Sequence, residues 1–159
     1  MKFITACALA LCVALAAPVL AQDKSSTDTN MQILRDKIKA DKKLVVAANM
    51  KLTDAQAKKF WPIYEAYQKE LAALNKRLAK VILDYADADA KSAVTDALAS
   101  KLIKESVAIE QSEAAGRKRL ADKLGKVLPG KVAARYLQIE SKIRAAVRYE
   151  LASGIPLVE

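Results

Sequence analysis

Residues 60–85, FWPIYEAYQKELAALNKRLAKVILDY, decide the fold of this 159-residue chain. Within them Phe60, Tyr64, Tyr67, Leu71, Leu74, Leu78, Val81 and Tyr85 step alternately by four and three residues. A hydrophobic repeat averaging about 3.5 residues keeps its stripe on one side of a helix and favours a coiled-coil-like seam with a partner helix. At ~1.5 Å per residue the seam is on the order of 40 Å long. A helix of that length cannot bury its stripe alone, so the pattern predicts a long antiparallel hairpin. Ala, Leu, Lys, Glu and Gln, all good helix formers, dominate the surrounding sequence. No alternating β-branched run suggests a strand. The sequence therefore predicts an all-α fold of about four helices in a single domain over residues 31–159.

Upstream, Leu52-Thr53-Asp54-Ala55-Gln56 reads as the start of this long helix. Thr53 as N-cap accepts from the Gln56 backbone N–H, and the Gln56 side chain reaches back to the Thr53 N–H, which closes a capping box. Pro62 lies past the first turn, removes the bond to the Lys58 carbonyl and predicts a kink near 58–62. Phe60, Trp61, Tyr64 and Tyr67 cluster around it, either as an aromatic core plug or as an exposed surface for apolar ligands. A preceding helix spans about Met31 to Asn49, with Met31, Leu34, Ile38, Val45 and Val46 on its apolar side.

Downstream, residues 84–96 break the repeat and mark the hairpin turn. Asp87 and Asp89 alternate there, but the Gly and the distal Glu of a calcium loop are missing. A third helix runs from about Thr95 to Val127, with Leu98, Leu102, Ile109, Leu120, Leu124 and Val127 on its inner face. Ser106, Glu113 and Gly116 fall on or near that stripe. This suggests a polar middle that pairs with Lys or Arg opposite, and a close approach or bend at the glycine. Leu128-Pro129-Gly130 ends the helix. A fourth covers about Lys131 to Ala152, with Val132, Tyr136, Ile139, Ile143 and Val147 as its seam. The apolar end, Ile155, Leu157 and Val158, is expected to pack back on the bundle or on a partner.

The first residues carry an address rather than part of the fold. Lys2 precedes an apolar stretch from Phe3 to Leu20, and Val19-Leu20-Ala21 satisfies the small-x-small rule, which places cleavage after Ala21. Residues 1–21 are read as a signal peptide and 22–30 as a flexible polar segment. A retained membrane anchor fits less well, because the apolar run is marginal for a span. Both cysteines, Cys7 and Cys12, lie in this leader, and the chain has no histidine. The exported part therefore has no disulfide, no usual ligand for zinc, nickel or copper, and neither of two common catalytic side chains. Glu110 and Glu113 resemble half of a carboxylate metal site, but no Glu-x-x-His accompanies them. No metal site, no cofactor and no catalytic residue is expected.

The formal charge is +9 and is unevenly spread. Residues 117–148 carry ten Lys or Arg against Asp122 and Glu140 alone, whereas residues 85–116 are net acidic. Export argues against nucleic acid. The candidate partners of the basic face are acidic proteins, anionic membrane surfaces and polyanionic envelope polymers. The plain alternative is a solvated face that only keeps the protein soluble.

The leader, the L-T-x-x-Q motif at Leu52 to Gln56, the long-helix hairpin and the basic character together resemble the Spy/CpxP, or LTxxQ, family of periplasmic stress proteins. A second such motif is usual in that family before the last helix. Here Val127-Leu128-Pro129-Gly130-Lys131-Val132 stands in that place, with the leucine and proline but without the threonine and glutamine. The resemblance covers roughly residues 45–150. It implies a cradle-like, antiparallel homodimer in the Gram-negative periplasm, and ATP-independent binding of unfolded proteins or inhibition of a membrane stress sensor. Metal sensing, which some relatives perform through histidines, does not carry over.

Three functions follow as expectations: a chaperone-like protein that holds unfolded or acidic envelope clients, a regulatory partner that docks on the exported domain of a membrane stress sensor, and a structural protein on anionic envelope surfaces. The basic stretch nominates Arg117, Lys118, Arg119, Arg135, Lys142, Arg144 and Arg148 for client or partner binding. Thr53 and Gln56 are nominated only as the structural cap.

Overall fold

The computed structural model describes residues 42–158. The signal peptide read over 1–21, the polar segment 22–30 and the first eleven residues of the first predicted helix, 31–41, lie outside the described residues. The described chain is all-α: α1 over residues 42–50, α2 over Asp54–Asp89, α3 over Asp96–Val127 and α4 over Gly130–Gly154.

The cap at the start of α2 is the one that the sequence predicts. Thr53 Oγ1 accepts from the Gln56 N–H at 3.3 Å, and Gln56 Oε1 accepts from the Thr53 N–H at 3.1 Å. Two backbone donors with no carbonyl in the helix are thereby satisfied, and an Asp in the first turn favours the positive end of the dipole. Lys51, just upstream, turns the chain from α1 with a positive φ of 49°. α2 then continues unbroken through Pro62. The proline is exposed, so its ring and the unpaired Lys58 carbonyl sit on the wet face, where water supplies the missing partner.

The predicted end of α2 needs correction. The helix extends past Asp84 to Asp89, so Asp87 and Asp89 are helical. Ala86, Ala88 and Ala90 interleave the aspartates and outweigh their weak helix propensity. The turn is confined to residues 90–95, with Ser92 at φ 49°, and Thr95 Oγ1 accepts from the Leu98 N–H to cap α3.

Ion pairs fix the register of the helices. Along the hairpin Glu70 meets Arg119, and further out Arg77 meets Glu105 at 2.9 Å, so partner numbers fall as α2 numbers rise. α4 runs antiparallel to α3, as Arg117 donating to Ser141 and Arg144 to Glu113 require. α1 runs antiparallel to α2, with Lys42 at Gln68 and Lys43 at Glu65, and it lies between α2 and α4. At Gly116 a Cβ would stand 2.9 Å from Glu70 Oε1, so the glycine lets that carboxylate lie against α3 and reach Arg119.

The core is concentrated at the end of the bundle where all four helices meet. Val46 and Met50 of α1, Phe60 and Tyr64 of α2, Leu120 and Leu124 of α3 and Tyr136 of α4 are buried together. Phe60 and Tyr136 meet edge to face with centroids 4.9 Å apart, and Phe60 also meets Trp61 at 4.9 Å. Each such side chain contributes about 1.5–3 kcal/mol on burial, and each ring pair roughly 0.5–1.5 kcal/mol more. The aromatic cluster is thus a core plug, and only Trp61 remains half-exposed.

Away from this end cover is thinner. Leu78 and Val81 of the predicted seam are half-buried, and Val147, expected inside, is 43% exposed. Tyr85 Oη donates to the Pro156 carbonyl at 3.2 Å and so holds the C-terminal tail. Ile155 is half-buried, but Leu157 and Val158 are exposed and do not pack back on the bundle.

Candidate functional site

The middle of the bundle is polar, and this layer determines which charges remain available at the surface. Glu140 of α4 is fully buried. Its carboxylate accepts from Lys42 Nζ at 2.7 Å and from Tyr136 Oη at 3.2 Å. Lys42 also donates to Gln68 Oε1 at 2.9 Å, and Gln68 Nε2 donates to Tyr136 Oη at 3.2 Å. These four side chains form a closed ring that ties α1, α2 and α4 together. Burial, followed by the Glu140 charge, pushes the Tyr136 phenol far above its ordinary range.

One turn further along, Glu113 of α3 is buried and accepts from Arg144 and, at 2.8 Å, from Arg148. Arg148 also approaches Glu110 at 3.6 Å. The polar middle of α3 thus pairs with arginines opposite, as expected. Tyr67 Oη lies buried between the two clusters with no hydrogen-bond partner among the described residues. Its pKa is raised, first by burial and then by the Glu140 charge. Arg144 and Arg117 oppose the rise electrostatically, but neither guanidinium completes a bond in hydrogen-bonding geometry.

These contacts sort the seven basic residues nominated from sequence. Arg144 and Arg148 are occupied by Glu113, Arg119 by Glu70, and Lys118 by Asp122 at 2.9 Å. Arg117 donates to Ser141 Oγ. Arg135 and Lys142 have no acidic partner among the described residues. They stand on one face of α4 with Lys131, which was not nominated, around a shallow cup of about 410 Å³ completed by Asn49 and Gln138. Among the described residues no carboxylate lines this cup. The i, i+4, i+11 spacing of the three cations was readable in the sequence. What could not be read was that Lys118, Arg119, Arg144 and Arg148 are paired with carboxylates.

A second feature lies near the hairpin turn. A groove of about 580 Å³ runs between α2, α3 and the end of α4, with Val81, Ile82, Leu102, Ile103 and Ile155 among its walls and the tail residues Leu157 and Val158 at its edge. Ile103 is 63% exposed and Leu157 89%. Nearby on the surface, Leu83, Val107 and Tyr149 are also exposed. Sequence reasoning missed the groove because it followed a single inner stripe on each helix. The signal was a second apolar residue beside the seam, Ile82 after Val81 and Ile103 after Leu102.

The arrangement can present cations and apolar surface to a macromolecule. Among the described residues no group of three His, Cys, Asp or Glu side chains gathers as a metal site would require, and no helix is long and apolar enough to cross a membrane. No family model matches the chain, and no curated protein and no solved structure matches it.

Proposed function

We propose that this chain is an exported, ATP-independent binding protein of the Spy/CpxP kind, which holds partly folded or acidic envelope proteins. The observation that carries this reading is the open apolar groove at the hairpin end. Contiguous exposed apolar surface on a folded helical domain marks an interaction site. The cup of Lys131, Arg135 and Lys142 supplies a separate long-range attraction for acidic chains, which raises the encounter rate before apolar contact holds the client. Holding requires no general base, nucleophile or cofactor. The two surfaces are at opposite ends of α4, a separation that suits an extended client better than a small ligand.

The test is suppression of client aggregation by residues 22–159 without ATP, at low and high salt. Suppression near one-to-one that weakens with salt supports the reading, because exposed charges are screened within about 10 Å at 0.1 M ionic strength. No suppression at any ratio refutes it and leaves docking on one dedicated acidic partner, such as the exported domain of a stress sensor.

A further inference from the structure

Four helix termini come together at the core end of the bundle. α1 stops at Met50 and α2 starts at Asp54, while α3 stops at Val127 and α4 starts at Gly130, so short turns close this end and no long loop projects from it. Helices of about 10–12 Å diameter, side by side, give it a breadth of roughly 20 Å. Lys51, Lys58, Lys59, Lys123, Lys126, Lys131 and Arg135 stand on it or within two turns of it, and all seven are exposed. The acids of the same segments, 51–59 and 122–135, are Asp54 and Asp122, and Asp122 is taken by Lys118. Among the described residues none of the seven cations is in an ion pair. The far end of α2, about 50 Å away, has the opposite sign, with Asp84, Asp87, Asp89, Asp96 and Glu150 against Lys91 and Lys101. We infer that the basic end docks end-on on an anionic lipid surface.

The kind of cation favours this partner. Six of the seven are lysines, hydrated point charges on flexible stems, whereas Arg77, Arg119, Arg144 and Arg148 are spent on individual carboxylates within the fold. A broad, loop-free end of flexible lysines suits diffuse negative charge better than one shaped acidic epitope. Clusters of about four to eight Lys or Arg are the usual reader of anionic headgroups. The opposite charge of the hairpin end sets the orientation. A charged surface acts over about 10 Å at 0.1 M ionic strength, so in the end-on pose the acidic end lies beyond its reach. Side-on contact would instead bring in carboxylates such as Glu65, Glu70 and Glu105, which alternate with cations along the helices.

End-on docking holds the apolar groove at the hairpin end away from the lipid. Lys131 and Arg135 also belong to the cup on α4, and Lys142 lies beyond this end. The inference does not rest on the client-holding reading, because vesicles are the only partner in its test.

The processed chain, residues 22–159, is sedimented with vesicles of phosphatidylglycerol in phosphatidylcholine and with vesicles of phosphatidylcholine alone. Binding to the anionic vesicles at low salt, release at high salt and no binding to the neutral ones are expected. No binding to the anionic vesicles, or equal binding to both, overturns the inference, and the first result leaves these cations to acidic proteins or to solvent. Two variants then separate the end from the net charge. Lys58, Lys59, Lys126 and Lys131 are changed to Gln in one, and the exposed Lys69, Lys76, Lys101 and Lys104 in the other. The end variant should bind at least about tenfold more weakly than the second, since each cation near the lipid counts severalfold. Equal losses overturn the inference. Orientation is read in the otherwise unchanged chain, which lacks cysteine from Gln22 onward, through a dye on Ala55→Cys at the basic end or on Ala93→Cys in the hairpin turn. Nitroxide-headgroup lipid should quench the first dye severalfold more than the second, and equal quenching overturns the end-on pose.

Discussion

Removing Lys42 should destabilise the fold more than removing its partner Glu140, although both belong to one ion pair. The carboxylate is fully buried, and its donors are Lys42 at 2.7 Å and Tyr136 Oη at 3.2 Å. Lys42 is 23% exposed and keeps a second acceptor, Gln68 Oε1, at 2.9 Å. Lys42→Met therefore leaves a carboxylate that cannot rehydrate, at a cost of about 3–5 kcal/mol. Glu140→Leu leaves an ammonium that still has Gln68 and can turn to water, at about 1–2 kcal/mol. In the double variant both charges are gone, and Met and Leu fill similar volume, so the loss should fall well below that of Lys42→Met alone. Urea unfolding followed by circular dichroism measures all three, provided that m is unchanged. Equal costs for the two single variants, or a double variant whose cost is their sum, would refute the reasoning. The first result would mean that Glu140 reaches water, the second that the two residues do not interact.

Three further outcomes follow from the same polar layer and its surroundings. Tyr67→Phe removes a buried hydroxyl without a partner, so it should leave stability unchanged or raise it by up to about 1 kcal/mol in urea unfolding, and a loss above that would show that the hydroxyl is bonded. Tyr136 keeps its proton in the fold at pH values where the unfolded chain, with a phenol near 10.0, has lost it, so stability should fall as pH rises above about 10. Tyrosinate absorbance should then appear together with loss of helical dichroism, and ionisation of all the tyrosines before unfolding would contradict the burial of Tyr136. Reversing Lys131, Arg135 and Lys142 to Glu should slow acidic-client association at least about tenfold at low salt with little change in stability, whereas Arg144→Ala should lower the urea midpoint by destabilising about 2–4 kcal/mol. Similar behaviour of the two variants in both assays would mean that the pairing in the fold does not sort the cations.

The alternating four-and-three spacing from Phe60 to Tyr85, the Thr53–Gln56 cap and the Leu128-Pro129-Gly130 break expose the hairpin and its ends, because each is a local pattern with a local cause. The burial of Glu113 is also foreshadowed, since an acid on an apolar stripe requires a cation opposite. Which arginines answer it cannot be read along the chain. Arg144 and Arg148 lie more than thirty residues away, and only the register of α4 against α3 brings them to Glu113. For the same reason the basic stretch 117–148 overstates the free charge. Its density is visible in the sequence, but the neutralisation of most nominated members is a tertiary property. The exposure of Val147 and Leu157 has a third origin. Whether a seam residue is covered depends on which neighbouring element reaches it, a tertiary property that helical spacing does not carry.

The client-holding account rests most directly on the apolar groove. The decisive measurement is aggregation suppression by Ile103→Asp beside the unchanged chain, with thermal unfolding run in parallel. Ile103 is 63% exposed, so a charge there should change stability by no more than about 0.5 kcal/mol. The account predicts that suppression falls severalfold while the melting curve stays in place. Full suppression by the charged variant would contradict it and remove the groove from the function.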